Sequence, residues 1–299
     1  MKALYDVPAP AKLNLFLRVT GRRPDGLHLL QSAIMLIDWC DTLHFELRAD
    51  GALTREDLGE ALPPDDLVLR AARSLQAEAG TAHGAHIAIR KCVPAQAGLG
   101  GGSSDAATCL LALNRLWDLN LPLSRLARLG LALGADVPFF LGGHDAWVEG
   151  IGEQLTPVEL PSARFAVVKP PQGLETGLVF RDAELKERVD AAIISGFAAN
   201  PNGAFERDLP GTFRENPFEY GRNDLQSVAC RLCPGVAQAL EWLGSQGLNA
   251  RMTGSGSAVF ARLPRDQALQ GAPAGWCVRE CGNLEAHPLV GWAPSDGSR

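Results

Sequence analysis

Four glycines, Gly98, Gly100, Gly101 and Gly102, fall within five positions of the run PAQAGLGGGSSDAA at residues 94–107. Residues 87–93 ahead of it alternate like a strand, and Ala106, Leu110, Leu113 and Trp117 behind it share one helical stripe. A strand, a glycine loop and a helix in that order allow a ligand close to the backbone. Several N–H groups converge there, the helix N-terminus adds partial positive charge, and Ser103 and Ser104 add hydroxyls. This is the physics of a phosphate cradle. A flexible loop ending in a serine N-cap is the plainer alternative. Two familiar phosphate loops are excluded, because the chain holds no Gly-Lys pair and the cluster lacks G-x-G-x-x-G spacing. A second cluster, Met252-Thr253-Gly254-Ser255-Gly256-Ser257, fits a second phosphate-facing turn or a simple loop closure.

At 299 residues the chain suits about two domains of ~150 residues each. Residues 1–150 carry 14 basic and 17 acidic side chains and the remainder carries the same, giving a net charge of −6. With no basic half or tail, a nucleic acid is not the expected partner. The start, MKALYDVPAPAK, lacks the apolar core of a signal peptide, and the most apolar stretch is interrupted by Asp136 and Pro138. A cytoplasmic protein that does not enter a membrane is expected. Seven cysteines, an odd number, suit reduced thiols. Cys230, Cys233, Cys277 and Cys281 have pairings that zinc sites use, but the long gap between pairs favours buried thiols.

Period-two alternation places Ala11, Leu13, Leu15, Leu17 and Val19 on one strand face and Lys12, Asn14, Phe16 and Arg18 on the other. Further strands are expected over 42–47, 164–168 and 258–262, and helices over 67–76, 106–117, 123–133 and 236–243. Strands and helices in mixed order predict an α+β first domain. Residues 187–222, rich in Gly, Pro and Asn, read as a long irregular connection.

Three separated motifs, PAPAKLNLFL around Lys12, PAQAGLGGGSSDAA and RMTGSGSAVF, together resemble the GHMP small-molecule kinases over roughly residues 8–285. Residues 11–28, LGADVPFFL at 133–141 and the Asn223-Asp224 pair extend the likeness. They place it nearest the branch whose acceptor is a methylerythritol alcohol carrying a cytidine diphosphate group. The resemblance implies a two-domain α+β fold with an N-terminal ATP-binding domain over 1–158 containing a left-handed βαβ crossover. It also implies a ferredoxin-like C-terminal domain over 159–287, a flexible tail over 288–299, and an active site in the cleft between the domains. ATP with Mg²⁺ would phosphorylate the alcohol's 2-hydroxyl, in a monomer or homodimer.

Under that resemblance Asp136 is the base that takes the hydroxyl proton and Lys12 stabilises the transferring phosphoryl group. The plain alternatives are a helix N-cap and a solvated lysine. ATP falls to Asp66, Lys91, Pro94, Gly98, Leu99, Gly100, Gly101, Gly102, Ser103 and Ser104. The acceptor falls to Asn14, Leu27, His28, Thr176, Phe180, Thr253 and Gly254. Lys91 reads equally as a surface lysine, Phe180 as a core ring and His28 as an ordinary surface histidine. Leu27 stands where the pattern often has tyrosine, giving up stacking of about 1 kcal/mol. Asp66 stands where an asparagine often contacts adenine; a carboxylate accepts from the amino group but cannot donate to a ring nitrogen.

No carboxylate cluster with metal-ligand spacing is visible, so Mg²⁺ is expected to be carried by the nucleotide, waters and a loop serine. Because ATP and the acceptor are both anionic, Lys12 and Lys91 are expected to make an acidic protein's cleft locally positive. The alternatives are a GHMP kinase for homoserine or mevalonate, and a non-catalytic nucleotide sensor on the same fold. An RNA-binding module is opposed by the charge.

Overall fold

The computed structural model describes residues 2–182 and 209–296. Two sheets organise it. The first is built on two long strands, β1 (Ala3–Arg22) and β2 (His28–Arg48), paired antiparallel through a tight turn. Next come β3 (Leu53–Asp57), α1 (Leu67–Ala79) and β4 (Gly84–Arg90), where β3 and β4 run parallel with α1 as the crossover. The glycine run then leads into α2 (Gly101–Leu116), followed by α3 (Leu123–Leu133) and α4 (Val137–Gly142). Strands β5 (Ala146–Gly150) and β6 (Gln154–Pro157) complete the sheet, in the order β3-β4-β2-β5-β6 with β1 on β2.

The second sheet holds β7 (Arg164–Lys169), β8 (Ala250–Met252), β9 (Val259–Arg262) and β10 (Cys277–Gly282), all antiparallel. Its order, β10-β7-β9-β8, is fourth, first, third, second, the order of a ferredoxin-like sheet. Helices α5 (Thr176–Phe180), α6 (Gly211–Glu215), α7 (Gln226–Leu232) and α8 (Pro234–Ser245) lie between β7 and β8. The second crossover, residues 263–276, carries no helix. Pro264, Gly271, Pro273 and Gly275 break it.

The alternation expected in β1 is interrupted. Asn14 pairs with Ile34 and Phe16 with Ala33, so Leu15 is the extra residue of a bulge. Both faces of β1 are covered: Lys12, Asn14 and Phe16 are as buried as Leu13 and Leu15. The glycine loop and the 252–257 turn close over Lys12 and Asn14. The second sheet covers one face, its Phe165, Val167 and Phe260 sharing one core with Leu13, Leu15, Phe16 and Trp147. Burying each such side chain is worth about 1.5–3 kcal/mol.

Two expectations about connections need correction. Residues 288–296 are docked, with Leu289 in the first core and Trp292 packed against it. The Arg115 guanidinium lies 4.7 Å from the Trp292 ring centre, and the Leu123 N–H donates to the Pro294 carbonyl at 3.0 Å. The apolar content of Leu289-Val290-Gly291-Trp292 is the signal for this. Of the expected tail, 297–299 lie outside the described residues. So do 187–208 of the expected connection; within 209–222, α6 forms and Phe213 and Phe218 are buried. Cys230 lies in α7 and Cys233 just beyond it, and among the described residues no group of three His, Cys, Asp or Glu side chains is placed to hold a metal. No helix of the described residues is long and apolar enough to cross a membrane.

Candidate active site

The glycine loop is wedged between the two sheets. Its Leu99 carbonyl accepts from the Lys12 N–H of β1 at 3.0 Å, and its Ala97 carbonyl from the Ala258 N–H at 3.1 Å. Gly98 (φ 71°) and Gly100 (φ 72°) lie in the left-handed region. A Cβ on Gly98 would stand 2.3 Å from the Thr253 carbonyl oxygen, and one on Gly100 would stand 2.9 Å from the Phe140 ring. Gly100 is the N-cap of α2 and offers no side chain, so the serine-cap alternative fails. The first N–H groups of α2 therefore remain open to a ligand.

The loop forms one wall of a cleft of about 1190 Å³. Every residue expected to bind ATP or the acceptor lines it, Lys12 and Asp136 included, except Ser104 and Thr253. Ser104 is fully buried on the inner side of α2, and its Oγ has no partner. Consecutive helix residues point about 100° apart, so only Ser103 faces the cleft. Thr253 is also fully buried; its Oγ1 accepts from the Asn14 N–H at 2.8 Å and ties β1 to the 252–257 turn. Asn223 braces the same turn, its Nδ2 donating to the Met252 and Gly254 carbonyls at 2.8 Å each. The Asn223-Asp224 motif is thus structural, since Asp224 accepts from the Val19 N–H.

Lys12 is buried, and its Nζ lies 3.7 Å from the Asp136 carboxylate. Its ammonium donates to Asn14 Oδ1, while Asn14 Nδ2 donates to Ser32 Oγ at 2.9 Å. Burial pushes the Lys12 pKa below that of a free lysine, and Asp136 opposes the shift. A solvated lysine is excluded. Asp136 occupies the N-cap position of α4, followed by Pro138, yet its side chain makes no capping bond and is open to the cleft. Position and chemistry separate here: the carboxylate sits at a helix start, yet its oxygens face Lys12 and the cleft instead of the helix N–H groups.

Lys91 is held otherwise than expected. Its ammonium donates to Asp41 of β2 and to Asp105 in the first turns of α2, both fully buried. Burial works against its charge, but Asp105 and Asp41 outweigh it and raise its pKa. Asp66 caps α1, accepting from the Leu69 N–H at 3.1 Å, and pairs with Arg55 at 2.8 Å. Its carboxylate is engaged from behind while its edge faces the cleft.

Also lining the cleft, the His28 and Phe180 rings lie 5.3 Å apart, tilted by 37°. His28 Nε2 is buried without a partner, and burial, with Arg22 nearby, lowers its pKa. Leu27 projects from the β1–β2 turn with 47% of its surface exposed. Thr176 Oγ1 and Ser255 Oγ share a hydrogen bond of 2.7 Å beside the pair.

The lining cations Lys12, Arg22, Lys91 and Arg181 face the carboxylates Asp65, Asp66, Asp105 and Asp136, four against four. Among the described residues that line the cleft, positive side chains are not in excess, so the loop N–H groups and the start of α2 join Lys12 in anion binding. Arg22, Ser32, Asp41, Asp105, Arg181 and Ser255 escape a reading of the sequence. Of these only Asp41, an acid in the largely apolar run of β2, carries a local signal.

Two family models match the chain: GHMP kinases N terminal domain over residues 66–144 and GHMP kinases C terminal over 203–276. The chain is 67% identical to the 4-diphosphocytidyl-2-C-methyl-D-erythritol kinase of Variovorax paradoxus (strain S110), over 98% of this chain and 100% of that protein. It is 65% identical to the enzyme of that name from Albidiferax ferrireducens, covering 99% and 98%. A crystal structure of 4-(cytidine 5'-diphospho)-2C-methyl-D-erythritol kinase superposes with a TM-score of 0.70 at 33% identity, covering 92% of this chain and 98% of that one. The homoserine kinase of Cytophaga hutchinsonii, at 15% identity and a TM-score of 0.66, shares the fold.

Proposed function

The chain belongs to the GHMP kinases, and on that premise we propose that it transfers the γ-phosphoryl group of ATP to the 2-hydroxyl of 4-diphosphocytidyl-2-C-methyl-D-erythritol, a step of isoprenoid precursor synthesis. The observation that carries this reading is one cleft that brings three parts together. The glycine cradle, the Lys12–Asp136 pair and the His28–Phe180 rings all line it.

In this mechanism the loop N–H groups hold the ATP phosphates. The acceptor hydroxyl gives its proton to Asp136 as its oxygen bonds the γ-phosphorus, and the bond from that phosphorus to the β,γ-bridging oxygen breaks. ADP and the 2-phosphate leave. Lys12 faces the charge that grows on the phosphoryl oxygens, and its burial makes that interaction stronger than it is in water. Asn14 Oδ1 accepts one hydrogen bond from the Lys12 ammonium and so aims its remaining N–H groups. His28 and Phe180 offer the cytosine a polar edge and an apolar face. Mg²⁺ bound with ATP would supply charge neutralisation of its phosphates. Among the described residues no carboxylate cage awaits it, and the Ser103 hydroxyl is the loop group able to join its waters. The cytoplasm, where ATP is abundant, suits this reaction.

The test is ADP release with the diphosphocytidyl alcohol, homoserine and mevalonate offered in turn. Turnover of the first alone is expected. Turnover of homoserine or mevalonate in its place overturns the substrate assignment, and failure with all three favours the nucleotide sensor.

A further inference from the structure

We propose that Asp41, Lys91 and Asp105 form a buried clamp that holds both ends of the glycine loop, and so sets the loop's affinity for nucleotide by positioning its backbone. The inference rests on the reading of that loop as the ATP cradle.

The connectivity carries it. Asp41 Oδ1 accepts from the backbone N–H groups of Cys92 and Val93, the residues that enter the loop. Asp41 Oδ2 accepts from the Lys91 ammonium, which also donates to Asp105 where the loop has become α2. One carboxylate of β2 thus fixes the entrance, and Lys91 carries the tie across to the exit. The packing is close: a Cβ on Gly101 would stand 3.1 Å from Val93 Cγ1 and 3.5 Å from Asp41 Oδ2. Both acids are within 2% of full burial, so these bonds face little competition from water.

The charge balance fits the same role. Asp105 Oδ1 is buried without a partner. Burial, with Asp41 adding to it and Lys91 opposing, pushes the Asp105 carboxyl up to about 8. Two buried carboxyl groups thus share the one Lys91 ammonium. Removing a member leaves the other charge buried and unpaired, and the loop ends untied.

The competing role for Lys91, a direct phosphate contact, predicts the opposite sign. If the acids merely sequester the ammonium, removing Asp105 frees it and tightens ATP. The experiment is a titration of the full-length protein with a fluorescent ATP analogue, without acceptor, so an error in the acceptor leaves the result intact. Asp105→Ala is expected to weaken binding about tenfold, since small displacements of positioned groups carry costs of that order or more. Asp105→Asn keeps an acceptor for Lys91 and is expected to lose no more than about threefold. Under turnover, KM for ATP should rise and KM for the acceptor should not. Unchanged or tighter nucleotide binding by Asp105→Ala overturns the clamp. If that variant does not fold, Asp105→Asn decides: binding equal to or weaker than the parent supports the clamp, and tighter binding overturns it.

Discussion

The Lys12 ammonium is buried and 3.7 Å from an Asp136 carboxylate that is open to the cleft, so cation and base occupy different dielectric environments across one short gap. The first prediction follows from that asymmetry. Asp136→Asn keeps the shape and removes the proton acceptor, and kcat should fall by about 10²–10⁴, read as ADP release. Lys12→Met should cost about 10²–10³ in kcat. Because burial lowers the Lys12 pKa, activity should decline at alkaline pH below the range of a free lysine. Lys12→Arg, if active, should move that decline upward.

Leu27 leaves one side of the proposed base site without a ring. Leu27→Tyr should lower the acceptor KM about fivefold, for stacking worth about 1 kcal/mol, with KM for ATP unchanged. Steady-state kinetics with each substrate varied will show it. An equal change in both constants would place Leu27 elsewhere in the reaction.

Gly100 has φ 72° with Phe140 and Lys12 against it. Gly100→Ala should cost about 1 kcal/mol or more in backbone strain and displace the Lys12 stem. Isothermal titration should show ATP affinity reduced about fivefold or more, a loss larger than the change in acceptor binding.

Two buried groups make stability depend on pH in opposite senses. Burial lowers His287 to about 4, so the unfolded chain binds the extra proton; stability is full above the ordinary histidine range and is lost as pH falls through it toward 4. Burial raises Asp145 to about 7, so its contribution is present below the ordinary carboxylate range and is lost as pH rises toward and through 7. Asp145→Asn, which keeps an acceptor for the Leu36 N–H, should raise the melting temperature at pH 8 and leave it nearly unchanged at pH 4. Thermal unfolding across that range checks the sign.

Much of the cleft was legible because its chemistry is local in the chain. The glycine loop announces itself by spacing, and Asp136 and Lys12 stand in short motifs. Bonds between distant segments were not. Lys91 looks like a free strand-end cation until β2 and α2 bring Asp41 and Asp105 to it, 50 and 14 positions away. Asp66 lines the cleft, and its pairing with Arg55 becomes visible only in the fold. Thr253 and Ser104 have the right type and neighbourhood but the wrong direction, which a one-residue change of helix angle or strand face decides. The strand pattern of β1 misled for a related reason: amphipathic alternation assumes one wet face, whereas the second sheet covers the Leu13 face and the glycine loop and the 252–257 turn close over Lys12 and Asn14.

The docking of Leu289 and Trp292 on the first core has a consequence for synthesis. A chain emerging from the ribosome presents the glycine loop, α2 and α3 long before the residues that cover them. The first domain must wait, partly uncovered, until the second sheet has been made. Truncation beyond 287 should therefore expose nascent apolar surface far from the cut, and such shortened chains should aggregate rather than lose activity in solution.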